Sequence, residues 1–178
     1  MTRSELEHVI RAAGAIADDR EIVIIGSQSV LGQFPDAPPA LLVSMEADVY
    51  PRNRPERADL IDGAIGEGSQ FHEQFGYYAQ GVGETTATLP EGWRDRLVRI
   101  KNANTGGSTG LCLEVHDLAL SKDAAGREKD LAFTAALARH GMTRRDTLLE
   151  RAGLIRLEPR LRKLVQGRIG RDFAKRRR

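Results

Sequence analysis

Residues 22–51 read I-V-I-I-G-S-Q-S-V-L-G-Q-F-P-D-A-P-P-A-L-L-V-S-M-E-A-D-V-Y-P, and this stretch decides the fold. It opens with four β-branched apolar residues, Ile22 to Ile25, the pattern of a strand covered on both faces. The run stops at Gly26-Ser27, and Gln28 to Gly32 reads as the first turns of a helix. A strand, a small-residue turn and a helix in that order leave backbone N–H groups aimed above the turn, a setting that suits phosphate. The segment Phe34 to Pro39 is a loop or helix end, because Pro35, Pro38 and Pro39 exclude helix and ladder alike. A second strand is predicted over Leu41 to Tyr50, ended by Pro51. It carries Glu46 and Asp48 two apart, hence on one face. Two carboxylates side by side repel each other unless a cation sits between them. A hard cation such as Mg²⁺ is the expected occupant, and it brings nucleotide phosphates with it.

The totals bound the rest. A chain of 178 residues, 40% hydrophobic but only 5% aromatic, makes one domain with a helical appendage and an aromatic-poor core. The net charge of +2 argues neither for nor against nucleic acid, but Arg and Lys crowd the C-terminal part, which ends Lys175-Arg176-Arg177-Arg178. The single Cys112 excludes an internal disulfide. Met1 to Asp19 is charged throughout, which does not read as a signal peptide, and no apolar run approaches the ~20 residues of a membrane span. The expectation is a soluble, cytoplasmic protein with no membrane partner.

Along the chain, a helix is predicted over 3–18, capped by Ser4 and packed through Leu6, Val9, Ile10 and Ala13. A second is predicted over 55–66, with Pro55 in its first turn and Leu60 among its apolar residues. A third begins at Ser69 and runs to Gln80, with Phe71, Phe75 and Tyr78 inward; His72 and Tyr77 are candidates to stack on a base. Thr85 to Leu89 reads as a short strand, as do 97–100 and 111–115, the last two joined by the Asn/Gly/Thr-rich link 102–110. A long helix starts at His116-Asp117 with Asp117 as its cap, and Gly141 closes the helix over 131–140. Helices over 144–152 and 158–173 put Leu148, Leu149, Leu154, Leu157, Leu161, Leu164 and Ile169 inward. Arg160, Arg162, Lys163, Arg168 and Arg171 then form a basic outer face. That face fits RNA phosphates, and equally a solvated surface.

Gly26-Ser27 after the first strand, and Glu46-x-Asp48 on the next, resemble the nucleotidyltransferase superfamily of DNA polymerase β. The resemblance implies an α/β (α+β) fold: a small mixed β-sheet of nucleotidyltransferase type flanked by helices, with a helical C-terminal region. It implies a core over 1–116 and a helical region over 117–178 packing on it. It also implies a third metal carboxylate from a later strand, for which Glu114 is the candidate beside Glu46 and Asp48. The stretch Asp117 to Asp130 resembles the AbiEii-type branch, the nucleotidyltransferase toxins of toxin–antitoxin pairs, through Lys122, Arg127, Lys129 and Asp130. Lys122 and Lys129 lie seven apart, so one face of a single helix would carry both, and Gly126 would let another group come close. Without the family, the same stretch reads as a charged, solvated helix face.

The function these resemblances imply is transfer of a nucleotide from a nucleoside triphosphate to an acceptor. Glu46, Asp48 and Glu114 would hold Mg²⁺. Gly26, Ser27, Gln28 and Ser29, with Lys122, Arg127 and Lys129, would bind the nucleotide; Glu46, Asp48, Lys122 and Asp130 would be catalytic. Relatives of the AbiEii type modify tRNA, which implies an RNA acceptor, a toxin role and an antitoxin protein as partner. Two alternatives stay open. The pair is Glu-x-Asp where Asp-x-Asp or Asp-x-Glu is usual, and Phe133 stands where that branch carries a further Asp, as a non-catalytic nucleotide- or partner-binding module would allow. The acceptor could instead be a small molecule.

Overall fold

The computed structural model describes residues 1–174; the basic end Lys175 to Arg178 lies outside the described residues. The chain divides into two compact units: residues 1–86 with 97–114, and residues 87–96 with 115 onward.

The first unit is a five-stranded mixed sheet with helices around it. Its strands are β1 (Glu21–Ile24), β2 (Glu46–Pro51), β3 (Tyr78–Gly81), β4 (Val98–Ile100) and β5 (Thr109–Cys112), in the order β3-β2-β1-β5-β4. β1 is central, antiparallel to β2 and parallel to β5, and leads through a helical turn at Ser27–Ser29 into the short helix α2 (Val30–Gln33). β3 runs parallel to β2, and β4 antiparallel to β5. Ile22 to Ile25 are fully covered, as the unbroken β-branched run requires. Helix α1 (Arg3–Ala17) buries Leu6, Val9, Ile10, Ala13 and Ala17 at helical spacing. Leu6, Val9 and Ile10 each contribute about 1.5–3 kcal/mol when fully withdrawn from water. A side chain at Gly110 of β5 would strike Ile10, so the glycine lets α1 seat closely on the sheet. The cap of α1 is Thr2 rather than Ser4: Thr2 and Glu5 exchange side-chain to backbone bonds in a capping box.

The helix expected over 69–80 is shorter. Helix α4 (Gln70–Phe75) is capped by Ser69 and stops at Gly76, whose φ of +75° is a left-handed position that glycine takes without strain. Tyr78 to Gly81 then form β3 at the sheet edge, with the Tyr78 N–H donating to the Met45 carbonyl at 3.0 Å. Thr85 to Leu89 is not a strand, and Leu60 on α3 (Ala58–Ile65) is 54% exposed rather than inward. β2 begins only at Glu46, because the residues before it follow a short helical turn at Pro39–Leu41.

The second unit is helical: α5 (Val115–Ala125), α6 (Glu128–Arg139), α7 (Arg145–Ala152) and α8 (Pro159–Ala174). The long helix expected from Asp117 breaks at Gly126, whose φ is +67°, so Lys122 and Lys129 lie on different helices. Asp117 is no cap. It is fully buried between Arg96, whose Nε reaches Oδ2 at 2.8 Å, and Arg151, whose Nη1 reaches Oδ1 at 3.0 Å. Gly141 follows α6 in the left-handed conformation, as expected. Leu148 and Ile169 are buried, but Leu154 and Leu164 are nearly half exposed. Among the described residues, no helix is long and apolar enough to cross a membrane.

Candidate functional site

The two carboxylates singled out on β2 stand beside the Gly26 turn. The Ile25 N–H donates to the Asp48 carbonyl at 3.0 Å, tying the end of β1 to β2. A Cβ on Gly26 would collide with the Asp48 carboxylate. The φ of Gly26 is −84°, open to any residue, so the glycine provides room for that carboxylate rather than a special backbone shape. Glu46 and Asp48 are both half-buried, on either side of the buried Ala47. Strand β3 lies in register beside them, Tyr78 opposite Glu46 and Gln80 opposite Asp48. The Tyr78 hydroxyl donates to Glu46 Oε2 at 3.0 Å. Burial, and then the Glu46 carboxylate, push the Tyr78 phenol up to about 12, so it stays a donor at neutral pH. The His72 ring packs on Tyr78 with centroids 4.7 Å apart, and His72 Nδ1 accepts from the Gly68 N–H at 3.1 Å.

The turn itself divides its residues between two tasks. Ser27 is half-buried, whereas Gln28 and Ser29 are fully covered. The Ser29 hydroxyl donates to the Ile24 carbonyl at 2.7 Å, and the Gln28 amide donates to the Ser44 carbonyl at 3.0 Å. Gln28 Oε1 is buried without a hydrogen-bond partner. Both side chains therefore brace the turn from inside. Glu114 is half-buried just beyond β5, after Leu113, whose N–H donates to the Ile24 carbonyl at 3.2 Å. Among the described residues, no three His, Cys, Asp or Glu side chains gather as metal ligands would. Glu46 and Asp48 are thus an oxygen-only pair beside a turn. That donor set fits Mg²⁺, which takes one or two protein carboxylates and completes its shell with water and phosphate.

The second unit holds the cationic residues singled out in the sequence. Asp130, in the first turn of α6, is buried. Lys122 Nζ on α5 lies 3.3 Å from its Oδ1, and Arg127 Nε 2.6 Å from its Oδ2. Burial pushes the Asp130 carboxyl up, but the Arg127 hydrogen bond and the Lys122 charge outweigh it and hold the group below its ordinary range. Asp130 is the anchor that fixes the two cations, whereas Lys129 is exposed. The room at Gly126 is taken by the Arg168 guanidinium of α8, which donates to the Asp123 carbonyl.

Residues 4–138 match the model of a family described as a nucleotidyltransferase of unknown function (DUF6036). The chain belongs to this family. No curated protein and no solved structure matches it. The span matched contains the Gly26 turn, both β2 carboxylates, and Lys122 to Asp130. Membership of a nucleotidyltransferase family implies a nucleotide substrate.

Sequence reasoning missed the part of this nucleotidyltransferase sheet that Tyr78 and Gln80 supply. The signal was Gly76 directly after an aromatic helical run, a stop that a periodicity count passes over. The other aromatic candidates are occupied within the fold. Tyr77 is buried, with its hydroxyl 2.8 Å from His8 Nδ1, and His8 packs against Phe71 and Phe75 at about 5 Å. Burial and then Arg11 lower the His8 pKa, which favours the neutral ring. His72 lies on Tyr78.

Proposed function

We propose that this chain transfers a nucleoside monophosphate from a nucleoside triphosphate to an RNA acceptor such as tRNA, in the manner of an AbiEii-type toxin. What supports it most is the Asp48 carboxylate against the Gly26 turn, with Glu46 two residues before it and beside Tyr78. Glu46 and Asp48 would hold Mg²⁺, which when bound neutralises charge on the triphosphate. The backbone amides at Gly26 and Ser27, and the Ser27 hydroxyl, bind phosphate oxygens. The acceptor hydroxyl oxygen bonds to the α-phosphorus and the bond from that phosphorus to the β-phosphate oxygen breaks. Pyrophosphate leaves with the electron pair, and the hydroxyl proton passes to Asp48.

The test is incubation of the purified protein with each labelled triphosphate, Mg²⁺ and total RNA. Label in tRNA, lost in Asp48→Asn, is the expected result. Label in small molecules alone would remove the RNA acceptor. Triphosphate binding that persists without any transfer would favour the alternative, a binding module that pairs with an antitoxin. The Glu-x-Asp order of the acid pair is the observation behind that second possibility.

A further inference from the structure

We propose that Tyr78 is the positioning residue of the cation site, holding the Glu46 carboxylate in a fixed orientation through its phenol; this rests on Glu46 and Asp48 being that site. Three observations converge on Tyr78. It stands in register with Glu46 on the neighbouring strand, so the two side chains leave the same face of the sheet. Its hydroxyl donates to Glu46 Oε2 at 3.0 Å, which engages one carboxylate oxygen and leaves Oε1 outside that bond. Its ring is held in turn: His72 packs on it at 4.7 Å, and His72 is fixed by the Gly68 N–H at 3.1 Å. The chain of contacts runs Gly68, His72, Tyr78, Glu46, and it crosses from helix α4 to strand β2.

A glutamate has three side-chain torsions, and on an outer sheet face a half-buried one explores several of them. A cation that needs near-octahedral oxygen geometry binds best when its ligands are already oriented. Partners outside the ligand shell give such orientation in other metal sites, and their loss weakens metal binding roughly 10–100-fold. The Asp48 carboxylate lies against the Gly26 turn, which confines it. Glu46 lacks that confinement and has the phenol instead.

The experiment titrates Mn²⁺ into five full-length proteins and reads free Mn²⁺ by electron paramagnetic resonance, with and without a non-hydrolysable triphosphate. The proteins are the wild type, Tyr78→Phe, Glu46→Gln, the pair Tyr78→Phe, Glu46→Gln and the pair Glu46→Gln, Asp48→Asn. Tyr78→Phe keeps the ring on His72 and removes only the hydroxyl. The expected result is a rise in Mn²⁺ Kd of about tenfold in Tyr78→Phe, with the cation-free melting temperature close to wild type. Tyr78→Phe in the Glu46→Gln background should then produce no further rise. Unchanged Kd in Tyr78→Phe, beside weakened binding in Glu46→Gln, would overturn the role of Tyr78 and leave the site intact. Wild-type binding equal to that of the double acid variant would overturn the site itself, and Tyr78's role with it. A purely structural Tyr78 would lower the cation-free melting temperature and leave Kd alone, which also refutes the assignment.

Discussion

Replacing Gly26 by alanine probes the geometry on which the site depends. The backbone at Gly26, φ −84° and ψ −171°, accepts alanine without strain. On that ground alone Gly26→Ala would stabilise the fold by about 0.4–1 kcal/mol, because it restricts the unfolded chain. The new methyl group, however, falls on Oδ2 and Cγ of Asp48, which must move. Overpacking of that kind costs roughly 1–3 kcal/mol. The net expectation is a loss of about 1–2 kcal/mol. In an Asp48→Ala background both of those atoms are gone. The remaining contact, at 3.1 Å, is to the Asp48 Cβ that alanine keeps, and it needs a shift of only a few tenths of an ångström. The Ile25 N–H donates to the backbone carbonyl of residue 48, a group that neither substitution removes. The two substitutions should therefore couple by about 1–3 kcal/mol, the overpacking cost that Asp48→Ala relieves, measured as a double-mutant cycle by urea denaturation with a common slope. Additivity within about 0.5 kcal/mol would show that the Asp48 carboxylate does not lie on Gly26 and would refute the site geometry.

Asp123 is buried, and burial first, then Asp172, raise its carboxyl to about 7. Between its ordinary value of 3.8 and about 7 the folded protein binds the extra proton, so stability should fall as pH rises through that window and level off above it. In Asp123→Asn that slope should be reduced, which denaturation midpoints at several pH values would reveal; an unchanged slope contradicts the assignment. Asp117→Ala should destabilise by about 3–5 kcal/mol, because Arg96 and Arg151 lose the buried acid that both engage; urea denaturation with a loss under about 1 kcal/mol counts against it. Cys112, whose thiol burial drives up to about 12, should resist alkylation in the native protein and react only after unfolding. Rapid native labelling, followed by mass spectrometry, would contradict its burial.

The sequence alone determined the central strand and what flanks it. A run of four β-branched residues suits a covered sheet, so Ile22 to Ile24 lie in β1 and Ile25 is buried directly after it. Period-two geometry likewise put Glu46 and Asp48 on one face before any fold was known. The α1 stripe was equally legible from its spacing. Only the tertiary structure decided the rest, because those features depend on groups distant in the chain or on single backbone angles. Two left-handed glycines, Gly76 and Gly126, ended helices that the apolar pattern would have continued, and so made β3 an edge strand and separated Lys122 from Lys129. Asp117 reads as a cap in the local sequence, but arginines twenty-one residues before it and thirty-four after it made it a buried ion pair. The Gln28 and Ser29 side chains brace the turn only because folding brings the carbonyls of Ser44 and Ile24 within reach. Tyr78 is joined to Glu46 by a strand pairing across thirty-two residues, a register that no local pattern encodes.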